Sequence, residues 1–405
     1  MTSTSAAGAG QQPRPPVVGM VGAGQLARMT AQAAISLGIE FRVLADTPSD
    51  SAAQVCANVV VGDYRSADDV LAFGAGCDVV TFDHEHVPGA HLAALAAASE
   101  VRPGGSALRF AQNKAVMREH LAGLGVRVPR YRPVRSLAEV AAFAAESGPA
   151  GRDGTGGGWP VVLKATSGGY DGKGVWLCAD EAAAAQVLAH GIGLIAEEYV
   201  RFDRELAVLV ARSPKGQGAS YPVVQTVQQD GICREVIAPA PGLDPDLAVA
   251  AQHLGLRLAA ELGVTGLLAV ELFEVGGELV VNELAMRPHN SGHWTMDGAV
   301  TSQFEQHVRA ILDLPLGSPA MTAPQAVMVN LLGGDDPDLY SRFVHVMAAD
   351  PGVRVHLYGK QVRPGRKIGH VTVAGEDAGR LRERAWRAAN YLSLGTEEPD
   401  GRVLP

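Results

Sequence analysis

Two short apolar runs, Leu267–Phe273 and Leu279–Leu284, flank Gly276-Gly277, and each carries one glutamate, Glu271 and Glu283. The glycine pair between β-prone runs predicts a hairpin. On a regular strand Leu279, Val281 and Glu283 share one face, because side chains alternate. A carboxylate then continues an apolar row, and a cation should meet it. If Gly276-Gly277 forms a regular two-residue turn, Val275 pairs with Glu278 and Glu271 with Asn282, which sends the two carboxylates to opposite faces. A ligand shared by both therefore requires an odd loop or a one-residue bulge between them. Two strand carboxylates on one face suit a hard divalent cation with phosphate oxygens. Two exposed acids are the competing reading. After Glu283 come Arg287, His289, Asn290, Ser291 and His293, a donor-rich loop fit for an anion beside that cation.

The 405-residue chain is long enough for two or three domains. Its net charge of −9 argues against a general nucleic-acid or anionic-membrane surface. Cys56, Cys77, Cys178 and Cys233 are far apart and form no Cys-x-x-Cys spacing, which argues against a zinc site or disulfide framework. A reducing cytoplasm is expected. No apolar stretch is long enough for a membrane span, and residues 1–16, rich in Ser, Ala, Gly and Pro, read as a disordered tail.

The first ordered unit, 17–106, reads as an open α/β domain. Val17–Val21 feeds the turn Gly22-Ala23-Gly24 and a helix, and Phe41–Leu44 follows, ending near Asp46. This imitates a dinucleotide fingerprint, although a glycine turn at a helix start takes any phosphate or merely permits close packing. Val79–Phe82 runs into Asp83-His84-Glu85-His86, polar residues at the carboxyl end of a strand, where such sheets bind ligands. Residues 107–317 form the second unit. Ala107–Leu124 reads as one helix bearing Lys114 and Arg118, 148–158 as a flexible insert, and about 159–226 as a small α+β lobe. Asp244 and Gly263 bracket a helix. Residues 318–405 read as a small β-rich domain.

Lys164 closes the apolar strand Pro160–Lys164 and precedes a loop, 165–175, with four glycines. Main-chain N–H groups there can reach phosphate oxygens and Lys164 can add charge. The loop lacks the Walker spacing and otherwise reads as a mobile surface hairpin. Glu197, Glu198 and Glu205 either accept from an adenine amine and ribose hydroxyls or are solvated. Between Arg354 and His370 five basic residues occur with no acid, which reads as a phosphate pocket, a solvated strand-turn-strand or, without aromatic platforms, a poor RNA patch.

Together Lys164, the 167–174 loop, 197–200, Glu205 and the Glu271/Glu283 pair resemble the ATP-grasp family. More narrowly, Gly22–Leu26, Ser167–Gly174, Asn282–Thr295 and Arg363–His370 are similar to the 5-(carboxyamino)imidazole ribonucleotide synthases, the ATPase subunits of phosphoribosylaminoimidazole carboxylase. The resemblance implies an ATP-grasp fold, ATP with magnesium or manganese, no biotin, bicarbonate and aminoimidazole ribonucleotide as substrates, and a homodimer. It implies that Lys114 and Lys164 meet ATP phosphates, that Gly169, Tyr170, Asp171, Gly172, Lys173, Gly174 and Val175 form the lid, and that Glu197 and Val200 hold adenine, with Glu198 and Tyr199 also in the ATP site. Glu205 would take ribose, Gln228 and Asn282 would border the nucleotide, and Glu271 and Glu283 would hold metal. Gly24, Gln25, Leu26, Glu85, Tyr170, Lys173, Arg287, His289, Asn290 and Ser291 would meet the nucleotide substrate, with Lys360, Arg366 and Lys367 on its phosphate. Lys164, Tyr170, Lys173, Arg287 and His289 are the catalytic candidates. Met286 stands where the family pattern has proline, and Gln228 where a histidine is common. A formate-dependent glycinamide ribonucleotide transformylase would share the lobes but not the His289–Thr295 loop. A nicotinamide-dependent oxidoreductase would leave Lys164, Glu271 and Glu283 without a task.

Overall fold

A computed structural model describes residues 14–147, 158–169 and 172–395. Most of the N-terminal tail, the insert at 148–157, and Tyr170 and Asp171 of the expected lid therefore lie outside the described residues. Three sheets organise the remainder. The first is parallel, ordered 58–61, 40–45, 17–21, 79–82 and 100–101, and its strand Val17–Val21 is buried on both faces, as parallel sheets require. The helix Gln25–Ser36 leaves it directly after the glycine turn.

The turn does not hold open space for a dinucleotide. The Gly24 amide donates to Asp83 Oδ2 at 2.5 Å, and a Cβ on Gly22 would lie 1.9 Å from Asp83 Oδ1. A carboxylate from the neighbouring strand already fills the anion-attracting turn, which removes the physical basis for the nicotinamide reading.

The second sheet is antiparallel and four-stranded, ordered 131–134, 194–198, 161–165 and 175–178. It differs from the lobe expected at 159–226. Tyr131–Val134 joins it at the edge, the position that tolerates Pro133, while Arg204–Arg212 and Val224–Gln229 belong to the large sheet. The expected single helix 107–124 is two, Gly105–Gln112 and Lys114–Gly123. Asn113 separates them, leaving the helical region and accepting from the Ala115 and Val116 amides, the geometry of an N-cap.

The third sheet has nine strands and runs from the hairpin 266–285 through 204–212, 224–229 and 232–238 to 325–332, 367–375 and 354–357. The C-terminal strands thus extend the central sheet, backed by helices Tyr340–Ala349 and Ala378–Leu394, which the β-rich expectation omitted. Along Arg204–Arg212 the side chains alternate between two cores. Val208 and Val210 pack with Leu258, Val270 and Met117, whereas Ala207 and Leu209 pack with Leu267 and Trp294. The helix Pro245–Glu261 starts on Asp244, whose carboxylate accepts from two amides, and stops before Gly263 at positive φ.

Candidate active site

The hairpin decides the geometry. Gly276 and Gly277 both have positive φ, and Val275 faces Glu278 across a regular two-residue turn. The register then slips between Leu272 and Glu271, so that Leu272 faces Val281 and Glu271 faces Glu283. Asn282 is the extra residue. This bulge corrects the parity that the turn alone would spoil, as expected. It also overturns the apolar-row reading: Leu279, Val281, Leu284 and Met286 point into one core, while Glu283 changes sides and joins Glu271. Met286 is fully buried there.

Like charges directly opposed on a sheet repel. Here Lys114, at the start of its helix, pairs with Glu283, and Lys164 Nζ lies 3.0 Å from Asn282 Oδ1 and 2.8 Å from Glu197 Oε2. Burial would raise the Glu283 carboxyl, but Lys114, with Lys164 and Arg118 behind it, holds the group below the usual range. Glu271, raised by burial and by Glu283, sits at about 7. Glu205 is likewise pushed up to about 7 by burial.

Beneath this layer lies Arg118, which is fully buried. Its Nε donates to Glu197 Oε1 at 2.7 Å, and its two terminal nitrogens donate to the Val281 and Asn282 carbonyls at 3.2 and 2.7 Å. One guanidinium therefore staples both sides of the bulge to the four-stranded lobe. Burial works against charge on Glu197, yet Lys164 and Arg118 prevail and draw its carboxyl down to about 2. The sign follows: its stabilising contribution is complete above 4.5, the ordinary value, and is lost as pH falls towards about 2. The gap in urea midpoint between wild type and Glu197→Gln is therefore expected to shrink on acidification through that window. A constant gap would take Glu197 out of the acid response.

Around these charges opens a cavity of about 1070 Å³, more than one small ligand commonly needs, about 300–1,000 Å³. Its wall includes Gly24, Gln25, Leu26, Glu85, Lys164, Gly169, Gly172, Val175, Glu197, Glu198, Tyr199, Val200, Glu205, Gln228, Glu271, Asn282, Glu283, Arg287, His289, Asn290, Ser291, Lys360 and Lys367. Of the other expected residues, Lys114 reaches the site through Glu283. Lys173, Gly174 and Arg366 are not on the wall; exposed Arg366 donates to the Gln361 carbonyl at 3.3 Å. Glu198 lines the cavity, but its carboxylate is held by Arg130 through two contacts of 2.8 Å. At one end Phe202 and Phe273 stack with centroids 4.6 Å apart.

The donor-rich loop is divided between site and scaffold. Arg287 Nε lies 2.8 Å from Glu85 Oε1, which ties the loop to the first sheet. His289 Nε2 lies 3.4 Å from Glu271 Oε1, and its Nδ1 is 2.9 Å from Ser291 Oγ. Gln303 grips the His289 backbone from both sides, accepting from its N–H at 2.9 Å and donating to its carbonyl at 2.8 Å. Asn290 and Asn330 exchange amide hydrogen bonds of 3.0 and 2.7 Å. His293, Trp294 and Thr295 turn into the interior. Arg118, Gln303 and Asn330 escaped the sequence reading as site residues. Only Arg118 carried a local signal, a charge one turn from Lys114 on a helix face otherwise filled by Met117 and Leu121.

Two lobes gripping a cleft, with one strand lysine, one helix lysine and paired acids meeting at a hairpin, define an ATP-grasp enzyme. The ATP-grasp domain family matches residues 119–304, the ribonucleotide synthetase preATP-grasp domain 16–112, and the phosphoribosylaminoimidazole carboxylase C-terminal domain 326–384. The N5-carboxyaminoimidazole ribonucleotide synthase of Mycobacterium tuberculosis is 54% identical, covering 94% of this chain and 88% of that relative. The crystal structure of the Thermus thermophilus synthetase superposes with a TM-score of 0.82 at 37% identity, over 95% of this chain and 100% of that one. That of the Aspergillus clavatus synthase in complex with ADP and 5-aminoimidazole ribonucleotide gives 0.83 at 31%, over 94% and 99%. The chain belongs to the N5-carboxyaminoimidazole ribonucleotide synthase family.

Proposed function

We propose that this cavity carboxylates the exocyclic amine of 5-aminoimidazole ribonucleotide at the expense of ATP. The observation that carries the reading is the Glu271/Glu283 pair, faced by Lys114 and Lys164 at one side and by His289 and the Arg287–Glu85 pair at the other. ATP lies with adenine near Glu197–Val200 and the Phe202–Phe273 stack, ribose on Glu205, and phosphates towards Lys114 and Lys164. A bicarbonate oxygen attacks the terminal phosphorus, the bond to ADP breaks, and carboxyphosphate forms. The substrate amine then attacks the carboxyl carbon, phosphate leaves, and the nitrogen gives up a proton. The lysines stabilise charge that spreads over the transferred phosphoryl oxygens, and the lid around Gly169–Val175 excludes water that would hydrolyse carboxyphosphate.

Glu271 and Glu283 fit a magnesium or manganese ion: two oxygen donors stand opposite each other, and the nearby lysines offset only part of the burial and repulsion at Glu271. Among the described residues no group of three or more His, Cys, Asp or Glu side chains is placed to hold a metal by itself, so the remaining ligands would be phosphate and water oxygens. When bound, the ion polarises phosphate oxygens. Arg287, His289, Asn290 and Ser291 orient the aminoimidazole nucleotide, and Lys360 and Lys367 meet its phosphate. Two copies are proposed to associate in a cytoplasmic homodimer. No described helix is long and apolar enough to cross a membrane.

ADP release is expected to require bicarbonate and magnesium and to rise with 5-aminoimidazole ribonucleotide. Stimulation by glycinamide ribonucleotide with formate instead would overturn the assignment.

A further inference from the structure

Lys360 belongs to the C-terminal part of the chain, yet the residues that hold it come from the N-terminal domain. Its Nζ pairs with Gln25 Oε1 at the start of the first helix. The preceding peptide is fixed more firmly. Gln54 Nε2 donates to the Gly359 carbonyl at 2.7 Å and to the Ser49 carbonyl at 2.8 Å, while Ser51 Oγ donates to the Tyr358 carbonyl. Gly359 has φ +66, and a Cβ there would lie 2.6 Å from Gln54 Oε1 and 2.8 Å from Arg28 Nη1. On the other side Tyr358 is fully buried, with its hydroxyl 2.9 Å from His370 Nδ1. The loop is thus clamped between two distant parts of the chain just before the lysine enters the cavity.

We propose that Gln54 and Ser51 are positioning residues for Lys360, so that the N-terminal domain sets affinity for the 5′-phosphate of the nucleotide substrate without touching it. The inference rests on the reading that Lys360 meets that phosphate. Neither side chain lines the cavity. Both act on main-chain carbonyls of the two residues before Lys360, so their removal frees the peptide rather than deleting a charge.

The test is steady-state kinetics of Gln54→Ala, Lys360→Ala and the double variant, with 5-aminoimidazole ribonucleotide and with the corresponding riboside, which lacks the phosphate. One hydrogen bond is worth about fivefold in equilibrium. Gln54→Ala is expected to raise KM for the nucleotide about fivefold, leaving kcat, KM for ATP and the thermal midpoint unchanged, and leaving the riboside unaffected. The double variant should match Lys360→Ala alone, because Gln54 acts through the lysine. Gly359→Ala should reproduce the rise in nucleotide KM, together with a lower thermal midpoint because alanine is strained at φ +66. Equal loss with nucleotide and riboside, or additive effects in the double variant, would overturn the positioning role while leaving Lys360 in place. An unchanged nucleotide KM in Lys360→Ala would instead overturn the reading of the lysine itself, and the inference with it.

Discussion

Arg118→Met is expected to lower stability by about 3–5 kcal/mol, the usual consequence of stripping one partner from a buried ion pair, and to depress ADP release further than the loss of folded protein explains. Methionine fills the space but supplies none of the three donors used, to Glu197, Val281 and Asn282. Glu197 keeps Lys164, so part of its charge stays compensated. The two carbonyls keep nothing of the guanidinium, and the bulge that turns Glu283 towards Glu271 loses its staple. Arg118→Lys should not rescue it, since an ammonium cannot span three acceptors in one plane. Urea denaturation followed by ADP release from the folded fraction checks both parts. A variant with unchanged midpoint and unchanged turnover would show that the bulge holds itself.

Lys164→Met is expected to reduce kcat by roughly 10²–10³-fold, the range seen when a preorganised electrostatic contact to a transition state is removed. Lys164 is buried, which by itself favours the neutral amine, while Glu197 beside it favours the ammonium. Burial prevails and holds the ammonium below its ordinary value, while Glu197 at 2.8 Å opposes part of that shift. Because Arg118 remains on Glu197, the fold should survive, and the defect should appear in turnover with 5-aminoimidazole ribonucleotide and in basal ATP hydrolysis alike. A loss confined to the coupled reaction would move Lys164 from ATP to the acceptor.

These two residues also mark what a sequence discloses. Lys164 announced itself because a charge at the end of an apolar strand, followed by glycines, is a local anomaly. Arg118 showed only a charge on an apolar helix face, because its acceptors are 79, 163 and 164 residues away and its own helix does not identify them. The helix start at Asp244 was legible, because that side chain caps its own backbone within three residues. The edge strand Tyr131–Val134 was not legible, since Pro133 argues against a strand until the sheet's outer side is known. Counting residues between Glu271 and Glu283 revealed that parity had to break. Where it would break depended on Arg118 and the lobe beyond it. Gln303 and Asn330 escaped because each supports the loop from a separate element, 14 and 40 residues further on.

Asn282 has a consequence for how densely chemistry can be written on a sheet. A regular strand offers each face one side chain per two residues, about 7 Å apart. At the bulge, Val281 and Leu284 both point into the core, so the two residues between them, Asn282 and Glu283, are both released to the cavity. One receives Lys164 and the other Lys114. A single extra residue has doubled the local concentration of functional groups on one face without lengthening the strand or disturbing the apolar side. Two lysines can then converge on an area to which an uninterrupted ladder would send one side chain.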